Sequence, residues 1–264
     1  MRKLLLLFLV AGCGPQNAPT ELNELTHYLY REWADDAHMQ DAVMKLDAQK
    51  WKLDGSTDDR SYQVSTLSKD DLAGVNWPMS RNPGKAIGAC VVRRSEWGMD
   101  DQVKLIQLPD QLDAEPTAKV YTRNFIDPTD PSCFTQQGCP TLVTDNDVTR
   151  DSSAITVSFV LHKSYRWVKL GSQDDGGADR WAIAARSFTD QPYKGTKSGT
   201  ALDQSYSMDI FLGQSDGRAV RYQCSWSETD LGIDLDDGIV LSVLVSGVDS
   251  ALAASDSAIQ KHFH

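Results

Sequence analysis

The chain has 264 residues, 41% hydrophobic and 24% charged, and its 26 basic against 37 acidic side chains leave a net charge of −11. An acid excess of this size is repelled by nucleic acid and by anionic membrane surfaces, which argues against both as partners. The length and the apolar share allow a genuine core, in one large domain or two small ones.

Residues 1–13 read MRKLLLLFLVAGC, with Arg2 and Lys3 ahead of an apolar run over 4–10. A membrane span needs ~20 apolar residues, so this run is predicted to be a secretion signal. Its end, VAGC, resembles the lipobox of bacterial lipoproteins. That resemblance implies a signal peptide over 1–12, cleavage before Cys13, and fatty acyl chains such as palmitate on Cys13. The acyl chains make the lipid bilayer a partner, each buried CH₂ contributing ~0.8 kcal/mol. The sequence GPQNAPT extends a lipidated tether over 13–20, and removal of Arg2 and Lys3 takes the mature charge to −13. Gly14, in place of Asp, follows Cys13; by the enterobacterial sorting rule this directs the protein to the outer membrane of the cell envelope.

Beyond the tether, Leu22, Leu25, Leu29 and Trp33 recur at helical spacing after Thr20, a predicted N-cap. Met39, Val43 and Leu46 resume the period, so 21–54 is expected to be a helical hairpin. His27 and His38 read as surface histidines beside acids. From residue 60 the period falls to two, marking an antiparallel α+β domain over 60–264. SYQVSTL (61–67), IGACVVRRS (87–95), QVKLIQLP (102–109) and KVYTRNFI (119–126) read as strands, and Ser68 with Asp71 as the cap of a very short helix. DNDVTRD (145–151) places acids at alternate positions as a calcium loop would, but lacks the turn glycine and distal glutamate, so a polar loop is expected.

The second half alternates most clearly. Ile155, Val157, Phe159 and Leu161, continuing to Tyr165 and Trp167, predict one long strand or two bent near Lys163. Trp181, Ile183 and Ala185 form a second run, Tyr206, Met208, Ile210 and Leu212 a third, and Val220, Tyr222, Cys224 and Trp226 a fourth. IVLSVLV (239–245) reads as a buried strand or segment, and Leu252, Ile259 and Phe263 as a closing helix. The fold class is therefore α+β: a helical hairpin, a large twisted antiparallel sheet and a C-terminal helix.

Cys90, Cys133, Cys139 and Cys224 are an even set in an exported chain, so two disulfides are expected. Three pairings exist, and the short loop FTQQG favours closing Cys133 on Cys139, leaving Cys90 for Cys224. No metal spacing is matched, and no phosphate- or dinucleotide-binding glycine pattern occurs, so no metal or cofactor is expected. GQSDG (213–217) satisfies the GxSxG pattern of a nucleophile elbow, which needs a strand before it and a helix after it. RAVRYQCSW after it alternates at period two, so a β-hairpin is predicted and catalysis is not. An envelope serine hydrolase using Ser215 and His262 is the alternative.

Three aromatic-rich strands, YRWVKL, RWAIAARSF and QSYSMDIFL, ahead of a terminal helix are similar to the helix-grip domains of the START and SRPBCC group. SYRWVKL and QSYSMDIFLGQ also resemble stretches of uncharacterised myxobacterial-type lipoproteins. The helix-grip resemblance implies an apolar small molecule between sheet and helix, with Tyr165, Trp167, Trp181, Tyr206 and Met208 as the residues nearest it. The competing reading is that these side chains simply fill the core. The expected function is a membrane-anchored, noncatalytic binding or structural lipoprotein; no protein partner is legible.

Overall fold

The computed structural model describes residues 17–49, 53, 56–135, 137–152, 155–172, 179–233 and 235–264. Signal segment, Cys13 and most of the tether lie outside the described residues. Two helices, α1 (Leu22–Arg31) and α2 (Asp36–Asp47), come first, followed by strands β1 (Ser61–Val64) and β2 (Ile87–Ser95). Helix α3 (Met99–Ile106), strand β3 (Ala118–Asp127), the single turn α4 (Ser132–Thr135) and strands β4 (Thr141–Asp151), β5 (Thr156–Ser172) and β6 (Asp179–Phe188) follow. The chain closes with β7 (Tyr193–Lys194), β8 (Thr200–Gly213), β9 (Ala219–Leu231) and the 27-residue helix α5 (Asp237–Phe263).

The strands form one antiparallel sheet in the order β1-β2-β9-β8-β6-β5-β4-β3, with β7 paired to β8. Both faces are covered, and residue parity decides which cover each side chain meets. Tyr206, Met208, Ile210, Tyr222 and Trp226 face the α1–α2 hairpin and pack with Leu25, Leu29, Met39 and Leu46. Tyr165, Ile183 and Phe211 face the other way, against Val103 and Ile106 of α3. The same inner side receives α5, through Val248 and Leu252 on Val91 and through Ala258 and Ile259 near Leu105. Two-sided cover explains why Ala182, Ile183, Ala184 and Ala185 of β6 are all buried in an unbroken run. This is the α+β, helix-grip layout expected above.

Both disulfides form as paired in the sequence reading. Cys90 and Cys224 are register partners on β2 and β9, 134 residues apart, and Cys133 closes on Cys139 across 6. GQSDG is a hairpin tip: Gln214 N donates to Arg218 O at 2.9 Å, and Gly217 takes φ +83° where a side chain would be strained. Strand β5 is the long, single strand of 17 residues.

Several local expectations fail for identifiable reasons. Residues 102–109 are not a strand: Gln102, Val103, Leu105 and Ile106 are buried sides of α3, whose first turn carries Asp100 and Asp101 and whose last carries Lys104. A short apolar run does not distinguish the two periods, and the acid-to-base polarity was the better signal. Residues 239–245 likewise belong to α5, started by Asp236, whose carboxylate accepts from Gly238 N at 2.8 Å. Residues 145–151 are strand, not loop, with Asn146 and Val148 buried between outward-facing acids. Thr20 does not cap α1, whose N-cap is Glu21 without a side-chain bond. Ser68 and Asp71 do exchange their capping bonds, at 2.8 Å and 3.2 Å, but enclose a turn that no helix continues.

Candidate functional site

Helix α5 grips the sheet with only its C-terminal half. Val248, Leu252, Ser255, Ala258 and Ile259 are its buried residues, whereas Ile239 and Val243 are 53% and 66% exposed. The helix is long and apolar enough to cross a membrane by length and composition, with mean hydropathy 1.7 over its most apolar stretch. Its packed half lies on β2, β9 and α3. Where the N-terminal half stands away from β9, a groove of about 530 Å³ opens. Its apolar wall includes Ile87, Ile155, Leu231, Leu235, Val240 and Leu244, and Lys85, Glu228, Asp230 and Asp237 also line it.

Under the gripped half lies a second, much smaller cavity of about 80 Å³ between α3, α5 and the inner face of the sheet. Its wall is polar. Arg123 from β3, Lys163 from β5, Asp209 from β8 and Arg221 from β9 all point to it, joined by Gln102 of α3. Strand parity puts these residues there, because each alternates with neighbours buried on the α1–α2 side or elsewhere in the sheet. Lys163 Nζ donates to Asp209 Oδ2 at 2.6 Å, and Asp209 is 2% exposed. Arg123 Nε donates to Asn146 Oδ1 at 2.9 Å and its Nη1 to Ile106 O. Arg123 and Lys163 also lie 5.3 Å and 5.4 Å from the centroid of the Tyr165 ring, near enough for its π face to stabilise them. Burial opposes the charge on Lys163, but Asp209, Tyr165 and Tyr121 outweigh it and hold its pKa above the ordinary lysine value. Burial likewise pulls the Arg221 pKa down, offset in part by Asp209 and Asp256.

The five residues expected nearest an apolar ligand do not line one cavity. Tyr165 is on the wall of the polar cavity. Trp167 and Trp181 border a surface recess of about 410 Å³ beside Asp36 and Gln40 of α2. Tyr206 and Met208, both fully buried, face α1 on the opposite side of the sheet. The cavity-facing residues of β8 and β9 are the ones between the apolar positions, Asp209, Arg221 and Gln223. Alternation marks them as a separate face; what it could not show is that this face is also covered by helices.

The serine-hydrolase alternative calls for Ser215 and His262 to meet. Ser215 is exposed at the hairpin tip, and His262 Nε2 is bound to Asp113 Oδ2 at 2.7 Å. Among the described residues no hydrogen bond joins Ser215 to a histidine. A serine, histidine and aspartate do meet elsewhere: His27 Nδ1 lies 2.9 Å from Asp71 Oδ2 and His27 Nε2 lies 3.0 Å from Ser65 Oγ. The Ser65 carbonyl, however, lies 3.1 Å from the same Nε2, and Asn23 Oδ1 already accepts from Ser65 Oγ at 3.0 Å. Because Ser65 Oγ spends its proton on Asn23 Oδ1, it does not offer that proton to His27. The cluster ties α1 to the turn after β1; Trp226 Nε1, donating to Ser65 O at 2.8 Å, secures the other side.

This staple has a pH signature. Burial pushes the Asp71 carboxyl up, but hydrogen bonds from His27 and Ser68 hold it below the ordinary carboxylate range. Folded Asp71 thus binds its proton more weakly than unfolded Asp71. Its contribution is complete above the unfolded pKa and is lost as pH falls through the lower folded value. Urea midpoints measured from about pH 5 to about pH 2 should fall more steeply for the native chain than for Asp71→Asn, and parallel curves would contradict the assignment.

No family model matches the chain, and no curated protein matches it. Among solved structures it is similar to Ara h 8.0201, with 11% identity over 67% of this chain and 99% of that one and a TM-score of 0.34. It is similar to a conserved protein from Geobacillus kaustophilus at 7% identity, 67% and 95% coverage and TM-score 0.36. Human StAR-related lipid transfer protein 5 matches at 13% identity, 69% and 78% coverage and TM-score 0.40. Likenesses of this strength carry no inference about ligand or activity.

Proposed function

We propose that the chain is a lipid-anchored protein of the cell envelope, held at the outer membrane through acylated Cys13, which binds an apolar small molecule noncatalytically under the N-terminal half of α5. The observation that carries the ligand is the groove of about 530 Å³ with its wall of Ile87, Ile155, Leu231, Leu235, Val240 and Leu244. That volume falls within the range of small-molecule sites, and covering ~200 Å² of apolar ligand surface would contribute about 5 kcal/mol before binding costs. The anchor is supported by VAGC ahead of Cys13 and by the short chain from Cys13 to Ala18. Ala18 is buried and its N–H donates to Asp41 Oδ2 at 2.7 Å. Five residues span at most ~18 Å, so an acylated Cys13 keeps the α1–α2 end of the body close to the bilayer.

The test is extraction of the purified full-length chain followed by mass spectrometry, with uptake of a fluorescent fatty-acid analogue measured in parallel. The native chain is expected to carry an apolar molecule and to take up the probe saturably. Val240→Trp fills the groove from a half-buried position and should weaken uptake about tenfold with the melting temperature unchanged. Absence of both a co-purifying molecule and saturable uptake would overturn the ligand reading. Metabolic labelling with a palmitate analogue, lost in Cys13→Ser, tests the anchor separately.

A further inference from the structure

The small cavity under the gripped half of α5 holds three buried atoms that have no hydrogen-bond partner: Gln102 Oε1, Asp209 Oδ1 and Arg221 Nη1. Gln102 is 0% and Asp209 2% exposed, so bulk water does not reach these side chains freely. Hydrogen bonds at the remaining polar atoms orient Gln102 and Asp209, and stacking orients Arg221. Gln102 Nε2 donates to Ser95 Oγ at 2.8 Å, Asp209 Oδ2 accepts from Lys163 Nζ at 2.6 Å, and Arg221 lies over the Phe211 ring at 4.8 Å. An unpaired buried polar group costs about 1–3 kcal/mol, and more when charged. Three converging on one cavity is a pattern that an occupant would relieve.

The charges around the cavity restrict that occupant. Arg123, Lys163 and Arg221 are cations, and the carboxylates are Asp209 and Glu115. Glu115 is already occupied outside the cavity, by Thr117 Oγ1 at 2.9 Å and by Arg150 at 3.6 Å. The lining thus carries three cations against two carboxylates, with Asp256 beside Arg221 and itself held by Ser95 Oγ at 2.6 Å. An apolar molecule would leave all three atoms unpaired. A halide would serve Arg221 but give Asp209 and Gln102 no donor, and an amine would serve those acceptors while opposing the cations. A species with an anionic end and a donor end satisfies every requirement at once.

We propose that this cavity is a second binding site, for a small carboxylate that also carries a hydrogen-bond donor: an α-hydroxy or α-amino acid. The carboxylate meets Arg221 Nη1 and the hydroxyl or ammonium meets Asp209 Oδ1 and Gln102 Oε1. At ~10–15 Å³ for each water-sized atom, about 80 Å³ admits roughly half a dozen non-hydrogen atoms, the size of glycolate, lactate or glycine.

Isothermal titration of the full-length chain with glycolate, glycine, acetate and ethanolamine tests the assignment, with ¹³C-labelled glycolate observed by NMR as a second readout. Glycolate or glycine should bind saturably, about tenfold tighter than acetate, which lacks the donor, and than ethanolamine, which lacks the carboxylate. Gln102→Leu should erase most of the advantage over acetate. The comparison among ligands on the native chain stands even where Gln102→Leu fails to fold. Absence of saturable binding, which leaves water as the occupant, or equal binding of acetate and glycolate, overturns the proposal. Val240→Trp should leave these titrations unchanged, which separates this site from the apolar groove.

Discussion

Replacing Cys90 and Cys224 together by alanine is expected to cost about 5 kcal/mol, because the lost bridge closes a loop of 134 residues in the unfolded chain. For a body of this size the melting temperature should fall by roughly 10–20 °C. The same replacement at Cys133 and Cys139, which close only 6 residues, should cost about 2 kcal/mol. Calorimetry of the two double variants under nonreducing conditions gives the comparison. Equal losses would show that local packing, and not loop closure, sets the contribution of each bridge. The ordering is sharp because the two loops differ so much in length, 134 residues against 6.

Lys163→Met is expected to destabilise the fold by about 3–5 kcal/mol, although methionine fits the space of a lysine stem. The loss comes from Asp209, which is 2% exposed and would keep a charge with its 2.6 Å partner removed. Asp209→Asn in the same chain should restore at least half of it, since the charge that needed compensation is gone. Urea midpoints for the native chain, the two single variants and the double variant form the cycle. Additive losses would mean that Lys163 and Asp209 act independently despite their contact. The same cycle shows how firmly the polar cavity is held, because Lys163 orients the carboxylate whose second oxygen stays unpaired.

Where one face of an element alternated with another, the fold was legible. Strands β5, β8 and β9 follow from Val157 to Trp167, Tyr206 to Leu212 and Val220 to Trp226, and the GQSDG turn between the last two follows from them. The disulfide pairs were legible from compartment and loop length. The helices α3 and the first half of α5 were not, because QVKLIQ and IVLSVLV are apolar at spacings that suit either period, and packing decided. The five residues expected near a ligand do not share one cavity for a more general reason. Tyr206 and Met208 are large apolar residues on one face of β8, and Asp209, Arg221 and Gln223 are alternate residues on the other face of β8 and β9. Alternation identifies residues that share a face; it does not say what covers that face. With α5 on one side and α1–α2 on the other, both faces of each run are covered, and the polar members line the small cavity. The groove depends on where α5 parts from the sheet, a property of helix length against sheet width that no local pattern carries. His27, Ser65 and Asp71 also came together only through tertiary packing, with Asn23 and Trp226 fixing the geometry.

The bridge from Cys90 to Cys224 also sets how the body responds to load. A pull between the N-terminal segment and the end of α5 runs along β1 to Cys90, crosses the sulfur–sulfur bond to Cys224 and leaves through α5. The intervening 134 residues form a covalent ring, and ~470 Å of contour stays out of tension. Arg123, Lys163, Asp209 and Arg221 all lie inside that ring, so the wall of the polar cavity is mechanically sheltered. Val240 and Leu244 of the groove, and Ala251 and Ser255 over the polar cavity, lie on the loaded path, so tension bears on the α5 cover of both sites while the strand-borne wall stays inside the ring.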